Sequence, residues 1–334
     1  MPAGEPSPRS GGSSDRREFL LKLAGVGAGL GAGALLSRPA AALARESAGP
    51  GGTLRALQET LPTREVPVSG EPIPVVGFGS TKSVLESPTE GTEPIENVIQ
   101  MLLEYGGRVV DTSPRTPEID EEFGRILQQP GIRDEIFLAA KVFVRGEEEG
   151  LEQMTQNRRL LAGGRPLDLL QVESVLDLET HWPNVLEWKE AGYTRYAGAT
   201  VFRQVNHDRL ERFMRNESPD FVHMNYSIME PEAEEVLLPL ARDRGMAVLI
   251  NRPFMNGEWF GLVEGRELPE WTREFGCETW AQFSLKYILA NPAVTCVLTE
   301  TTNPEHMEEN IRAGLGRHPT EAERRRMREV VESF

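Results

Sequence analysis

Cysteine and histidine are the side chains from which a metal centre or a thiol nucleophile is usually built, and this chain spaces them for neither. Its two cysteines, Cys277 and Cys296, form no CxxC, and His181, His207, His223, His306 and His318 are scattered. A zinc site needs several such groups at short, repeated spacings, so no metal is expected. Two reduced, buried thiols or one disulfide both stay open, because export would allow the pair to oxidise. A glycine-rich run within Leu23–Leu36 carries backbone N–H groups of the kind that cradle a pyrophosphate. No strand precedes it, however, and a dinucleotide loop needs one. Carboxylates dominate the chain, with 52 Asp and Glu against 36 Lys and Arg and a net charge of −16. Nucleic acid is thereby excluded as a partner, since phosphate binding needs basic patches and none of length is present. The acidity reads as a solvated, self-repelling surface.

The first 44 residues read as an address. Residues 13–22 are Ser-Ser-Asp-Arg-Arg-Glu-Phe-Leu-Leu-Lys, and Arg16 and Arg17 ahead of Phe19 and Leu20 resemble a twin-arginine export signal. The uncharged Gly/Ala/Leu run Leu23–Leu36 follows, then Arg38, Pro39 and the A-x-A site Ala42-Leu43-Ala44. That order is the n-region, h-region and cleavage site of a signal peptide. A membrane span needs about 20 apolar residues, so no stable anchor is expected. The segment carries five Lys/Arg against three Asp/Glu, which leaves −18 on the mature chain. The expected location is periplasmic or extracellular. Residues 45–62 read as a linker, and 63–334 as one domain.

From Thr63 onward, short β-rich runs alternate with helical patterns. The strand candidates are Ile73–Gly79, Arg108–Asp111, Ile136–Lys141, Leu167–Val172, Arg195–Ala199, Phe221–Asn225, Ala247–Ile250 and Val294–Leu298. Amphipathic stretches lie between them, among them Ile95–Tyr105, Glu121–Gln128, Leu178–Ala191, Val205–Met214, Ala233–Asp243 and Thr279–Ala290. Eight strands each followed by a helix predict an α/β fold, a (β/α)8 TIM barrel. A doubly wound open sheet would need a glycine-rich phosphate loop after an early strand, and none is there.

Several motifs in order carry a resemblance over roughly Arg64 to Phe334. They are Pro74-Val-Val-Gly-Phe-Gly79, Val110-Asp-Thr-Ser-Pro114, Ala139-Ala-Lys141, Asp168-Leu-Leu-Gln-Val172, Glu190-Ala-Gly, Arg195-Tyr-Ala-Gly198 and Asn303-Pro-Glu-His-Met-Glu-Glu-Asn310. In these the chain resembles the aldo-keto reductases, especially their bacterial branch. The resemblance implies carbonyl reduction with hydride from a nicotinamide cofactor. It also implies a tetrad of Asp, Tyr, Lys and His at the C-terminal ends of strands two to four. In that tetrad the Tyr donates the proton, the Lys–Asp pair lowers its pKa, and the His orients the carbonyl.

Carried onto this chain, the tetrad falls on Asp111, Thr116, Lys141 and Glu173. Two members match and two do not. A threonine hydroxyl is far less acidic than a phenol of pKa about 10, and roughly 4 Å shorter in reach. Glu173 is similar to the glutamate of the steroid 5β-reductase branch, which however keeps its Tyr. Burial would raise the Glu173 pKa and Lys141 would lower it, and the lysine is expected to win unless Asp111 has already neutralised it. Tyr226, at the end of strand six, is the remaining tyrosine nearest the site.

The cofactor positions implied by the resemblance are altered too. The family's Ser-Asn, which holds the carboxamide, is Thr200-Val201, and its Gln on strand six is His223. The loop that grips an adenosine 2′-phosphate carries Glu300 and His306, while Thr301, Glu309 and Asn310 match the adenine side. A carboxylate repels a phosphate dianion but accepts a hydrogen bond from a free ribose hydroxyl. The cofactor expected is therefore NAD or NADP, with NADH favoured. Trp182 and Trp259 either line a substrate pocket or pack the rim. Three functions stay open: an NAD(P)-linked oxidoreductase with Glu173 as acid, a degenerate family member that binds a ligand or partner without turnover, and a lyase or isomerase using Lys141 and Glu173.

Overall fold

The computed structural model describes residues 59–80, 82–86 and 91–334. Residues 1–44, expected to be a signal segment, and residues 45–58 of the expected linker lie outside the described residues. Ten strands are described: β1 (Thr63–Glu65), β2 (Pro72–Pro74), β3 (Val76–Gly79), β4 (Val109–Asp111), β5 (Phe137–Val142), β6 (Leu167–Glu173), β7 (Thr194–Thr200), β8 (Phe221–Asn225), β9 (Ala247–Asn251) and β10 (Cys296–Thr299). Strands β3 to β10 pair in parallel, in sequence order, and β10 closes on β3 as a barrel. The (β/α)8 expectation is met. Apolar side chains on both faces of each strand explain why these runs fold as parallel strands between a filled interior and a helical layer.

That layer is α1 (Glu93–Glu104), α2 (Pro117–Leu127), α3 (Glu147–Leu160), α4 (Leu178–Glu190), α5 (His207–Asn216), α6 (Leu237–Asp243), α7 (Glu258–Val263), α8 (Trp280–Leu289), α9 (Pro304–Gly314) and α10 (Glu321–Glu332). Pro117 sits in the first turn of α2, where its missing N–H costs nothing. Thr320 and Glu323 close a capping box at α10. Helix α3 has few apolar residues and turns Asn157 inward, whose Nδ2 donates to the Lys141 carbonyl at 2.7 Å.

The first expected strand, Ile73–Gly79, is in fact two. Pro72 and Pro74 have no N–H to give a central ladder. Instead β2 pairs antiparallel with β1, Arg64 opposite Ile73, and the chain enters the barrel only at Val76. Val66 and Ile73 of this hairpin are buried in one apolar cluster with Val109, Phe137, Phe221, Ala247 and Cys296, the first residues of their strands. The hairpin thus plugs the N-terminal end of the barrel. Phe137, Tyr196 and Phe221 fill the space above it with ring centroids 5.3 to 6.0 Å apart.

Side chains alternate along a strand, so the residue two places beyond each core residue faces the same interior one layer higher. Asp111 follows Val109, Lys141 follows Ala139, Gln171 follows Leu169, His223 follows Phe221 and Asn251 follows Leu249. A polar layer therefore rests directly on the apolar one at the C-terminal mouth. On β7 this layer is occupied by Gly198, where a Cβ would lie 2.6 Å from the Phe221 carbonyl oxygen. Left-handed backbone follows two of these strands, at Ser174, Val175 and Asp177 after β6 and at Arg252, Met255 and Asn256 after β9. For a β-branched residue such as Val175 that conformation is strained, and such strain concentrates at functional sites.

Candidate active site

The polar layer opens into a cavity of about 560 Å³. Asp111, Lys141, Glu173, Thr200, His223 and Asn251 line it from the strands, and Ser113 from the loop after β4. Phe202 and Phe254 line it from loops and Phe260 from α7, with Lys82, Ser83, Glu300, Thr301 and Thr302 from the β3 and β10 loops. Lys141 donates directly to Asp111 Oδ2, with both side chains buried. Asp111 Oδ1 accepts from Gln171 Nε2 at 3.1 Å and lies 3.9 Å from His223 Nδ1. Burial alone would raise the Asp111 pKa. The Lys141 charge, with His223 and the two hydrogen bonds, outweighs it and holds the group below the usual carboxylate range.

Glu173 is half-buried as a residue, but its Oε2 is enclosed and has no partner. Its Oε1 accepts from Ser113 Oγ at 3.2 Å. Burial pushes its pKa up, and the pull of Lys141 does not reverse this. The expectation that the lysine would win is thus corrected by its own exception: the ammonium lies against Asp111, and Glu173 meets a largely neutralised pair. His223 is buried and both ring nitrogens lack partners. Burial lowers its pKa to about 4, so the imidazole is neutral at pH 7.

The structure does not bring Thr116 into this group. It is the exposed N-cap of α2, outside the cavity, and its hydroxyl bonds Glu118. The cause is the neighbouring residue. Arg115 is buried, donating to Thr112 Oγ1 at 2.7 Å and to the Ser80 carbonyl, with Asp120 at 3.5 Å. Adjacent residues of an extended segment point opposite ways, so an inward Arg115 sends Thr116 outward. No tyrosine among the described residues lines the cavity. Tyr226 is wholly buried and bonded to Glu234 and Arg324.

Residues 76–331 match the sequence profile of the Aldo/keto reductase family, which is most of the chain. The chain belongs to the aldo/keto reductase family. The aldo-keto reductase YhdN of Bacillus subtilis (strain 168) is 24% identical over 190 residues, covering 53% of this chain and 55% of that protein. The NADH-specific methylglyoxal reductase of Escherichia coli (strain K12) is 25% identical over 175 residues, 44% of this chain and 52% of that one. The chain thus matches about half the length of these curated relatives. An aldo-keto reductase of Bacillus halodurans (holo form) superposes with a TM-score of 0.63 at 22% identity, over 81% of this chain and 96% of its own. One from Klebsiella pneumoniae in complex with NADP and acetate gives 0.65 at 16% identity, over 81% and 95%. At these identities the structural likeness carries the fold alone.

Within this aldo-keto reductase barrel the expected cofactor residues divide. Thr200, His223, Glu300 and Thr301 line the cavity. On α9, His306 is exposed, Glu309 half-buried and Asn310 buried, and none of the three lines it. Glu300 is already engaged, since its Oε1 accepts from the backbone N–H groups of Lys82 and Ser83. The Thr301 hydroxyl accepts from the Asn303 N–H at 3.0 Å. Trp182 and Trp259 both lie elsewhere: Trp259 packs on Trp280 and Phe283, and Trp182 on Phe213. Cys277 and Cys296 are free and buried, and burial pushes the Cys277 thiol up to about 12.

Ser113, Gln171, Arg115 and Asn251 are the site residues that sequence reasoning missed. Strand parity could have found Gln171 and Asn251, since both share a face with the core. Ser113 and Arg115 lie on a loop, where no periodicity applies. The orphaned atoms test the fit of a nicotinamide. His223 offers one donor and one acceptor nitrogen, and Asn251 Oδ1 is a buried acceptor without a partner. A carboxamide brings the complementary N–H and C=O groups, so these residues fit it and would hold it there.

Proposed function

We propose that this aldo-keto reductase family member is an exported, nicotinamide-linked oxidoreductase in which Glu173 takes the acid's place in the tetrad. The observation that carries the reading is Glu173 at the cavity wall, whose enclosed Oε2 has no partner and whose burial favours the protonated carboxyl. A reduced nicotinamide held by His223 and Asn251 would supply hydride to a carbonyl carbon. Glu173 then delivers its proton to the carbonyl oxygen, and the Lys141 ammonium stabilises negative charge developing there. Asp111 and Gln171 keep Lys141 in place. The carboxylate of Glu300 disfavours a 2′-phosphate, which supports NADH over NADPH. Arg16, Arg17, the run Leu23–Leu36 and Ala42-Leu43-Ala44 support export by the twin-arginine route, with residues 45–62 as a linker to the barrel.

A second reading, a ligand-binding member without turnover, is favoured by one observation: Thr116 stands outside a cavity that no described tyrosine lines. Fluorescence titration of the mature protein with NADH and NADPH, followed by a panel of small aldehydes and quinones, separates the two. NADH should bind more tightly, and Glu300→Lys should move preference toward NADPH by about 5- to 30-fold. Turnover should fall by roughly 10²-fold or more in Glu173→Gln and stay within about threefold in Thr116→Ala. Binding without turnover of any substrate makes the second reading correct. Absence of binding to either cofactor defeats the first.

A further inference from the structure

We infer that Ser113 is a positioning residue that decides which oxygen of Glu173 carries the acidic proton. The inference rests on the reading of Glu173 as the acid and adds a group that the family tetrad does not contain. Four polar side chains stand in series at the cavity: Asp111, Lys141, Ser113 and Glu173. Lys141 Nζ lies 3.4 Å from Ser113 Oγ, and Ser113 Oγ lies 3.2 Å from Glu173 Oε1. An ammonium has no lone pair, so in the first contact Ser113 can only accept. Its single hydroxyl hydrogen is then left for Glu173 Oε1. With Oε1 accepting, the proton of the neutral carboxyl sits on Oε2, the oxygen without a protein partner.

Local structure holds Ser113 in that role. It precedes Pro114, which confines its backbone to the extended region. Two residues on, Arg115 ties the loop to Thr112 Oγ1 and to the Ser80 carbonyl. The hydroxyl is therefore held between Lys141 and Glu173 by the backbone on both sides. Oε2 is enclosed at rest, so a carbonyl oxygen reaches it only once the Glu173 side chain shifts toward the cavity; Oε2–H then passes to that oxygen as hydride reaches the carbon, and the carboxylate left behind takes a proton from solvent. Ser113 keeps its own hydrogen throughout. It also favours the ionised carboxyl, because a hydrogen bond to a carboxylate stabilises the charge. Its removal should make Glu173 a weaker acid.

The test uses the mature protein as native, Ser113→Ala, Ser113→Thr and Glu173→Gln forms, with melting temperature as a check of folding. The ionisation of Glu173 is followed by 13C NMR of labelled glutamate carboxyls, assigned by the signal missing in Glu173→Gln, without cofactor. Ser113→Ala should raise the midpoint by roughly one pH unit. In turnover it should lower kcat by about tenfold with KM within twofold, and move the alkaline limb of the pH profile to higher pH. Ser113→Thr, which keeps a hydroxyl, should restore midpoint and limb. A midpoint unchanged in Ser113→Ala, or a Thr variant that behaves like Ala, overturns the inference. If Glu173→Gln turns over like the native protein, the acid assignment is wrong and the inference about catalysis falls with it, whatever the midpoint does. If Glu173→Gln is inactive while Ser113→Ala leaves midpoint and limb in place, only the role of Ser113 is lost.

Discussion

A carboxyl within reach of a lysine is ordinarily held ionised, and at Glu173 that pull is weakened because the same ammonium is in contact with Asp111. Burial then decides the direction of the shift. His223, one layer above Phe221, loses its water in the same way but without a compensating bond, so its pKa falls to about 4 from 6.5. A group whose folded pKa is depressed adds stability that is complete above its unfolded pKa and lost as pH falls through the folded one. For His223 the window runs from about 6.5 down to about 4, and the loss amounts to about 3 kcal/mol. His318 has the same sign and adds to the slope. Urea unfolding at pH 7 and pH 4.5 should show native protein losing markedly more stability than His223→Gln over that interval. Equal losses in the two would mean that His223 is not buried neutral.

At the scale of elements, the last helix is fastened by one buried cluster. Arg324 on α10 donates to Tyr226 Oη at 2.8 Å and to Glu234 Oε1 at 2.6 Å, and its guanidinium stands 4.4 Å from the Tyr287 ring centre. Tyr287 Oη also donates to Glu234 Oε1, at 2.6 Å. Removing the cation strands a carboxylate that is 30% exposed among two tyrosines, and the loss of such a charge-assisted pair costs about 1 to 3 kcal/mol. Arg324→Met should therefore destabilise the barrel by roughly that amount in urea unfolding, with the cofactor affinity of the surviving folded protein unchanged. A loss below about 1 kcal/mol would show the cluster to be solvated and α10 held by its apolar face alone.

For the molecule as a whole, the proposal that the N-terminal segment is an export signal concerns where the barrel is found and not how it folds. Twin-arginine export carries folded proteins, which suits a domain whose cavity is completed by strand ends from all round a closed barrel. Changing Arg16 and Arg17 together to lysine should leave a full-length protein in the cytoplasm, read by fractionation and intact mass. Native protein should appear outside it, cleaved after Ala44. Export and shortening of the Lys-Lys form would defeat the twin-arginine reading.

The sequence by itself determined the eight-strand alternation, because parallel barrel strands are short apolar runs and their helices carry the 3.6-residue stripe. Its resemblance to the family placed Asp111, Lys141, Glu173 and Thr200 at or beside strand ends and His223 on strand six, and the strands carry them there. Helix α3 escaped notice because its inward face uses Gly150 and Asn157, whose burial is licensed by a hydrogen bond to β5 and not by an apolar pattern. The single strand expected over Ile73–Gly79 became two because a run of apolar residues does not say which neighbour it pairs with. Only the tertiary structure decided that Arg115 turns inward and Thr116 outward, and that Ser113 stands between lysine and carboxylate. Those orientations depend on Ser80, Asp120 and Glu173, residues 5 to 60 positions away in the chain. The balance at Glu173 was decided there as well, because whether burial or a neighbouring charge prevails depends on a contact distance to Asp111 that no spacing in the sequence encodes.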